Sequence, residues 1–331
     1  MRFSLLQLFR PSKALKDGIA ERLLGCPHTI SMILSYADTA TLVACMRVSR
    51  GFHQRAGQSL YHTVCVRAGG EAALLCGVEV EPGSNFKRRL LANVRVLTLA
   101  GHPSSCRHHC ALAHPPHFPN LRTLRLAWLP GPGGADHKCR LLRGAAPSKV
   151  VVRNMGELHL PLSVHATQWS AERLQVLVVV LPTHGWLLQS PRRLVHGVDV
   201  RRVKVVFWPL WEGPEGPARP AEVMPTTVNP ALIIPSLRDL AARTQLAVYG
   251  LETLRFGEGS RFAAAVRRAC PDVELTQAVL LEHVEAEIAA TACEGGGGGG
   301  DGAVCAGVEF RTRDEYVADA GGRGGELKAV D

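Results

Sequence analysis

The chain contains no C-x-x-C pair and no N-x-S/T sequon. Its ten cysteines (Cys26, Cys45, Cys65, Cys76, Cys106, Cys110, Cys139, Cys270, Cys293 and Cys305) are scattered, several inside apolar runs. In 331 residues this pattern argues against a small disulfide-stapled secreted scaffold and favours reduced thiols in cytoplasm or nucleus. No run reaches the about 18 consecutive apolar residues that a spanning helix needs, so no membrane partner is expected. Aromatic residues are only 5% of the chain. Stacking on nucleic acid calls for more rings, interleaved with clustered charge. Catalytic signatures are missing as well. There is no G-x-x-x-x-G-K, no G-x-S-x-G, no H-E-x-x-H, and no carboxylate pair that spacing alone supports. The expectation is a non-catalytic protein without a cofactor.

What is present is a globular composition, 46% hydrophobic and 20% charged, with a net charge of +9 and a pI near 9.2. Such a surface favours acidic partners. The basic residues come in dispersed pairs, such as Arg88-Arg89, Arg192-Arg193, Arg201-Arg202 and Arg267-Arg268, so nucleic acid is an unlikely ligand. Residues 1–22 carry Arg2, Arg10, Lys13 and Lys16 before the first acid, Asp17. A mitochondrial presequence has that bias but more serines, so this stretch reads as an N-terminal helix or a frayed end.

From Pro27 onward apolar residues recur three and four apart: Ile30, Ile33, Leu34, then Leu42, Val43, Cys45, Met46, and then Val48 and Phe52. That spacing places them on helix faces. Asp38 or Thr39 is the expected cap between two short helices, a third helix runs to about Leu60, and residues 61–67 alternate like a strand. Pro27, Ile30, Ile33, Leu34, Asp38, Leu42, Val48-Ser49-Arg50 and Phe52, followed by Leu60-Tyr61, stand in the order of the F-box pattern. In that order they resemble fungal F-box-like proteins. Cys26 replaces the usual leucine before the proline, and His28-Thr29 the usual acidic pair. The resemblance implies a three-helix segment over residues 23–66. It also implies docking of the ligase adaptor subunit of a cullin–RING complex through Pro27, Ile30, Ile33, Leu34, Leu42, Val48 and Phe52. The chain would then be a substrate-receptor subunit of a ubiquitin ligase.

Past residue 90 another pattern recurs: Val94-x-x-Leu97-x-Leu99, Leu121-x-x-Leu124-x-Leu126, Met155-x-x-Leu158-x-Leu160, Leu174-x-x-Leu177-x-Val179, Val200-x-x-Val203-x-Val205 and Leu251-x-x-Leu254-x-Phe256. Residues two apart share a face of a strand, so the last two apolar positions of each unit point into one core, and the first fills the bend before the strand. The units resemble leucine-rich repeats. Their starts lie 27, 34, 19, 26 and 51 residues apart, and the asparagine that usually ladders the turns is missing. The expected architecture is α/β: a small N-terminal helical F-box-like segment followed by an irregular leucine-rich-repeat-like parallel-strand array over residues 67–292. An open parallel sheet with helices on one side is the alternative. Near its end, the array should hold a helix over residues 234–247, a strand over 251–256, a helix capped by Ser260, a strand over 273–275 and a helix over 279–290. Residues 293–331 read as a glycine-rich linker, with six consecutive glycines at 295–300, and a flexible tail. Thr312 and Glu315 have capping-box spacing there, which predicts a short, loosely attached helix.

Between the inward positions lie residues that would face the other side of the sheet, and three of four such units carry a cation there. Solenoids bind partners on that concave surface. An acidic or phosphorylated protein substrate across Arg125, Arg202, Lys204 and Arg255 is therefore expected. His102, Cys106, His108, His109, Cys110, His114 and His117 crowd one segment. Their C-x3-C spacing and the absence of a second tight pair read as a polar loop, so no metal is assigned. A repeat scaffold with no ubiquitin role, or a basic nucleic-acid-associated protein, are the competing functions.

Overall fold

A computed structural model describes residues 26–66, 74, 86–99, 118–126, 145–153, 173–182, 200–208, 227–228, 230–257, 259–294 and 307–319. In chain order the elements are helices α1 (Pro27–Ser35), α2 (Thr39–Cys45) and α3 (Arg50–Leu60), strand β1 (Thr63–Val66), helix α4 (Phe86–Leu91), and strands β2 (Val96–Leu99), β3 (Thr123–Leu126), β4 (Lys149–Arg153), β5 (Val176–Pro182), β6 (Arg202–Trp208) and β7 (Thr227–Val228). They continue with α5 (Pro230–Ala241), β8 (Gln245–Tyr249), β9 (Arg255–Phe256), α6 (Arg261–Ala269), α7 (Gln277–Glu294), β10 (Val308–Arg311) and α8 (Arg313–Asp319).

The three N-terminal helices are separated by capped turns. Asp38 accepts a hydrogen bond from the Thr41 N–H at 2.8 Å, and the Ser49 hydroxyl accepts from the Phe52 N–H at 3.3 Å. Each cap satisfies a donor that a helix start leaves open, so the chain turns sharply twice within a short span. The helices close on a small core of Ile30, Leu34, Leu42, Cys45 and Ala56, with Phe52 and Leu60 packed against it. α3 approaches α4 closely at Gly57, where a Cβ would meet Leu90 at 2.6 Å.

Eight parallel strands form one sheet in the order β1-β2-β3-β4-β5-β6-β8-β10, so space follows sequence. Backbone bonds climb from strand to strand just before each begins. The His62 carbonyl accepts from Arg95 and Val96, that of Arg95 from Arg122 and Thr123, and that of Ser148 from Gln175 and Val176, at 2.9–3.1 Å. On one face lie Leu97, Leu99, Leu124, Leu126, Val150, Val152, Leu177, Val179, Val203 and Val205, all buried in the main core with α5 and α7 residues Leu237, Leu240, Leu280 and Val284. The bend-filling residues Val94, Leu121, Leu174 and Val200 are buried with them. Each such side chain contributes about 2 kcal/mol by leaving water.

Several local expectations change. The unit beginning at Met155 lies outside the described residues, and the strand between β3 and β5 is β4, from the Val150-Val151-Val152 run. The helix expected to Ala247 stops at Ala241, where the Thr244 hydroxyl bonds back to the Leu240 carbonyl at 3.0 Å, and β8 follows. Residues 251–253 form a 3₁₀ turn. Arg255 and Phe256 pair with β7 in a separate two-stranded sheet, away from the eight. Residues 273–275 form no strand. Gly250 causes the break after β8. It holds φ 75°, and a Cβ there would lie 2.5 Å from the Phe207 carbonyl oxygen.

The tail differs most from expectation. β10 pairs in parallel with β8, matching Val308 to Leu246 and Arg311 to Tyr249. The capping box forms: the Thr312 N–H donates to Glu315 at 2.7 Å, and the Glu315 N–H to the Thr312 hydroxyl at 3.3 Å. α8 then lays Tyr316 on the sheet at 1% exposure, so this segment is docked where loose attachment was expected.

Candidate functional site

The helical segment divides the sequence-derived apolar stripe in two. Ile30, Leu34 and Leu42 are buried in the small core, and Phe52 is half-buried against it. Ile33 and Val48 are exposed. Pro27 opens α1 at its first position, where a missing N–H costs nothing. Beside Ile33 and Val48 stand Met32 at 52% exposure and Tyr36 at 84%, which the sequence reading passed over, and Val43 at 46%, which it placed in the apolar pattern but not in the adaptor-docking set. Of the six exposed large hydrophobics among the described residues, five belong to this short segment. Met32, in α1, and Tyr36, its C-cap, stand four residues apart and so on one side of the helix end. Single exposed apolar residues are ordinary, whereas a local concentration marks an interaction surface. Its signal in the sequence was an apolar stripe wider than a three-helix core can absorb.

A cleft of about 720 Å³ separates this segment from the start of the sheet, lined by Leu34, Leu42, Gln58, His62, Asn93, Arg95 and Asn120. Partial burial lowers the His62 pKa, and the Arg95 and Arg122 guanidinium groups lower it further, so its imidazole is neutral at pH 7.

The second candidate surface is the sheet face opposite the main core. Register carries Arg125 across Val151 and Val178 to Lys204, and Arg202 lies two residues before Lys204 on the same side. Arg255 does not join them, because β9 belongs to the small sheet. The face is also less bare than expected. Val151, Val178, Val180, Val206, Ala247 and Tyr249 form a second apolar cluster with Tyr316. The sequence signal was the unbroken apolar runs at 150–152 and 176–181, which parallel strands carry when both faces are covered.

Beside that cluster the cations meet carboxylates from the tail. Arg202 bonds Glu309 at 2.9 Å, and Lys204 lies 3.6 Å from Asp319 and 5.2 Å from the Tyr249 ring centroid. The Tyr249 hydroxyl donates to Asp319 at 2.9 Å, and Arg311 reaches Glu309 at 3.1 Å and Asp319 at 3.4 Å. Burial, reinforced by the bond to Asp319, pushes the Tyr249 pKa up to about 12. The same bond holds Asp319 below the usual carboxylate range, helped by Lys204 and Arg311. Burial lowers the Lys204 pKa despite the pull of Asp319. Arg313 stacks 5.6 Å from the Trp208 ring centroid, and its N–H donates to Glu252 at 2.8 Å. Arg125 is half-buried, and its Nε has no hydrogen-bond partner among the described residues.

Among the described residues no three His, Cys, Asp or Glu side chains gather as metal ligands, and no helix is long and apolar enough to cross a membrane. The His102 to His117 cluster lies outside the described residues. Residues 27–67 match the F-box-like family model, which covers the three helices and β1. Among curated proteins, none matches the chain.

Proposed function

We propose that the chain is a substrate-receptor subunit of a cullin–RING ubiquitin ligase, acting without catalysis of its own in cytoplasm or nucleus. The F-box-like segment docks the ligase adaptor. The parallel-strand region, read as a degenerate leucine-rich-repeat-like array, holds an acidic protein target. The observation that carries the reading is the exposed apolar set Met32, Ile33, Tyr36, Val43 and Val48 inside the segment matched to the F-box-like model. Such a face suits an apolar partner groove, which takes a helix by residues three and four apart. Ile30, Leu34 and Leu42 support it from beneath by fixing the helices.

The test uses full chain and purified adaptor. Ile33→Asp with Val43→Asp should weaken the complex about 30-fold or more, the effect of losing central anchors, while the circular dichroism spectrum stays unchanged. A wild-type chain that binds no adaptor would contradict the proposal. It would favour a repeat scaffold without a ubiquitin role, a reading supported by His28 and Thr29 standing where F-box segments carry acids.

A further inference from the structure

We infer that the sheet face around Lys204 and Tyr249 is a binding site for an extended acidic segment of a partner protein, and that residues 308–319 of the chain itself occupy it as a built-in competitor. The inference rests on reading the parallel-strand region as the target-holding part. It adds the chemical class of the target and a means of regulation.

Three observations converge on it. The first is the mode of attachment. β10 is the last strand of the sheet and is added along the β8 edge by main-chain pairing from Val308 to Arg311. Edge pairing accepts any extended chain, so side chains alone select the occupant. The second is the selection itself. Glu309 meets Arg202, Asp319 meets Lys204 and the Tyr249 hydroxyl, and Tyr316 packs edge-on to Tyr249 at 5.2 Å between ring centroids. The occupied positions describe a ligand: a short β-forming run with a carboxylate at its second residue, then an aromatic and a second carboxylate three residues apart. The ion pairs at this contact have side chains 16–47% exposed, so no single one is strong enough to make the occupant irreplaceable.

The third observation is the tether. Residues 295–307 join α7 to β10, and eight of those thirteen are glycine. Linkers of such composition give a tethered segment an effective concentration in the millimolar range. A free segment with a dissociation constant of ~10 µM would then bind the wild-type chain ~100-fold more weakly than it binds a chain whose own segment is disabled.

The experiment uses the full chain and a fluorescent synthetic peptide with the sequence of residues 307–319, read by anisotropy without any adaptor present. Glu309→Lys combined with Asp319→Lys, which weakens the resident segment, should tighten peptide binding at least tenfold over wild type. Adding Lys204→Glu should abolish that gain. A scrambled peptide of the same composition should bind neither chain. If the double-lysine chain does not fold, Glu309→Gln with Asp319→Asn carries the same expectation. Equal peptide affinity for wild type and the weakened chain would overturn the inference, as would a gain that survives Lys204→Glu or a scrambled peptide that binds as well. Because adaptor is absent, these outcomes bear on the sheet site alone, while loss of adaptor binding bears on the helical segment alone.

Discussion

At the scale of single residues, Tyr249 and Asp319 set the pH range of the tail contact. The Tyr249 pKa is pushed from 10 to about 12, so the folded protein favours the protonated phenol. Its contribution is complete below pH 10 and is lost as pH rises from 10 through 12. Asp319 is held below its ordinary value of 3.8, so its contribution is present above that value and is lost as pH falls through the lower folded one. Lys204 and Arg311 face Asp319, and the Arg202 charge acts on Tyr249. Lys204, whose pKa burial lowers, gives up its proton more readily in the folded protein, so its titration opposes that alkaline loss. Amide exchange in residues 308–319 should therefore be slowest between about pH 4 and 10, once intrinsic rates are divided out. Tyr249→Phe should remove the alkaline limb and also move the acid limb up toward the ordinary carboxylate value, because the Tyr249 hydroxyl is the main group holding Asp319 down. An alkaline limb unchanged in Tyr249→Phe would mean that the phenol does not hold Asp319.

At the scale of elements, legibility followed burial geometry. The strands were readable where apolar residues two apart shared one core, as Leu97 with Leu99 or Leu124 with Leu126. α1 and α2 were readable because Pro27 and Asp38 mark their starts, and α3 because the apolar spacing continues through Phe52 toward Leu60. β8 was hidden because Gln245 to Tyr249 continues the apolar pattern of α5, and only tertiary pairing with β6 and β10 decides between helix and strand. The docking of α8 was hidden because Glu309, Asp319 and Tyr316 find their partners 60 to 120 residues earlier in the chain, which no local spacing records. In the helical segment, periodicity found the stripe and could not say which half was core. The structure separates them, and stability should follow. Leu34→Ala, at 2% exposure, should cost about 2–5 kcal/mol, whereas Met32→Ala, at 52%, should stay within about 0.5 kcal/mol. Urea unfolding of each full-length variant measures this, and equal losses would mean that the division between core and surface is misassigned.

At the scale of the whole molecule, the two surfaces differ in chemistry. The helical segment presents apolar side chains and has only Asp38 as an acid among its described residues, whereas the sheet site is built on cations and a tyrosine. The proposed receptor role assigns one face to the ligase and the other to the target, and under it each should be alterable alone. The central claim is that residues in the F-box-like segment dock an adaptor. Hydrogen exchange on the full chain, with and without the purified ligase adaptor, tests it most directly. The account predicts slowed exchange across α1 and α2, with β2 to β6 unchanged. No slowing there at saturating adaptor, or slowing confined to the sheet, would contradict it.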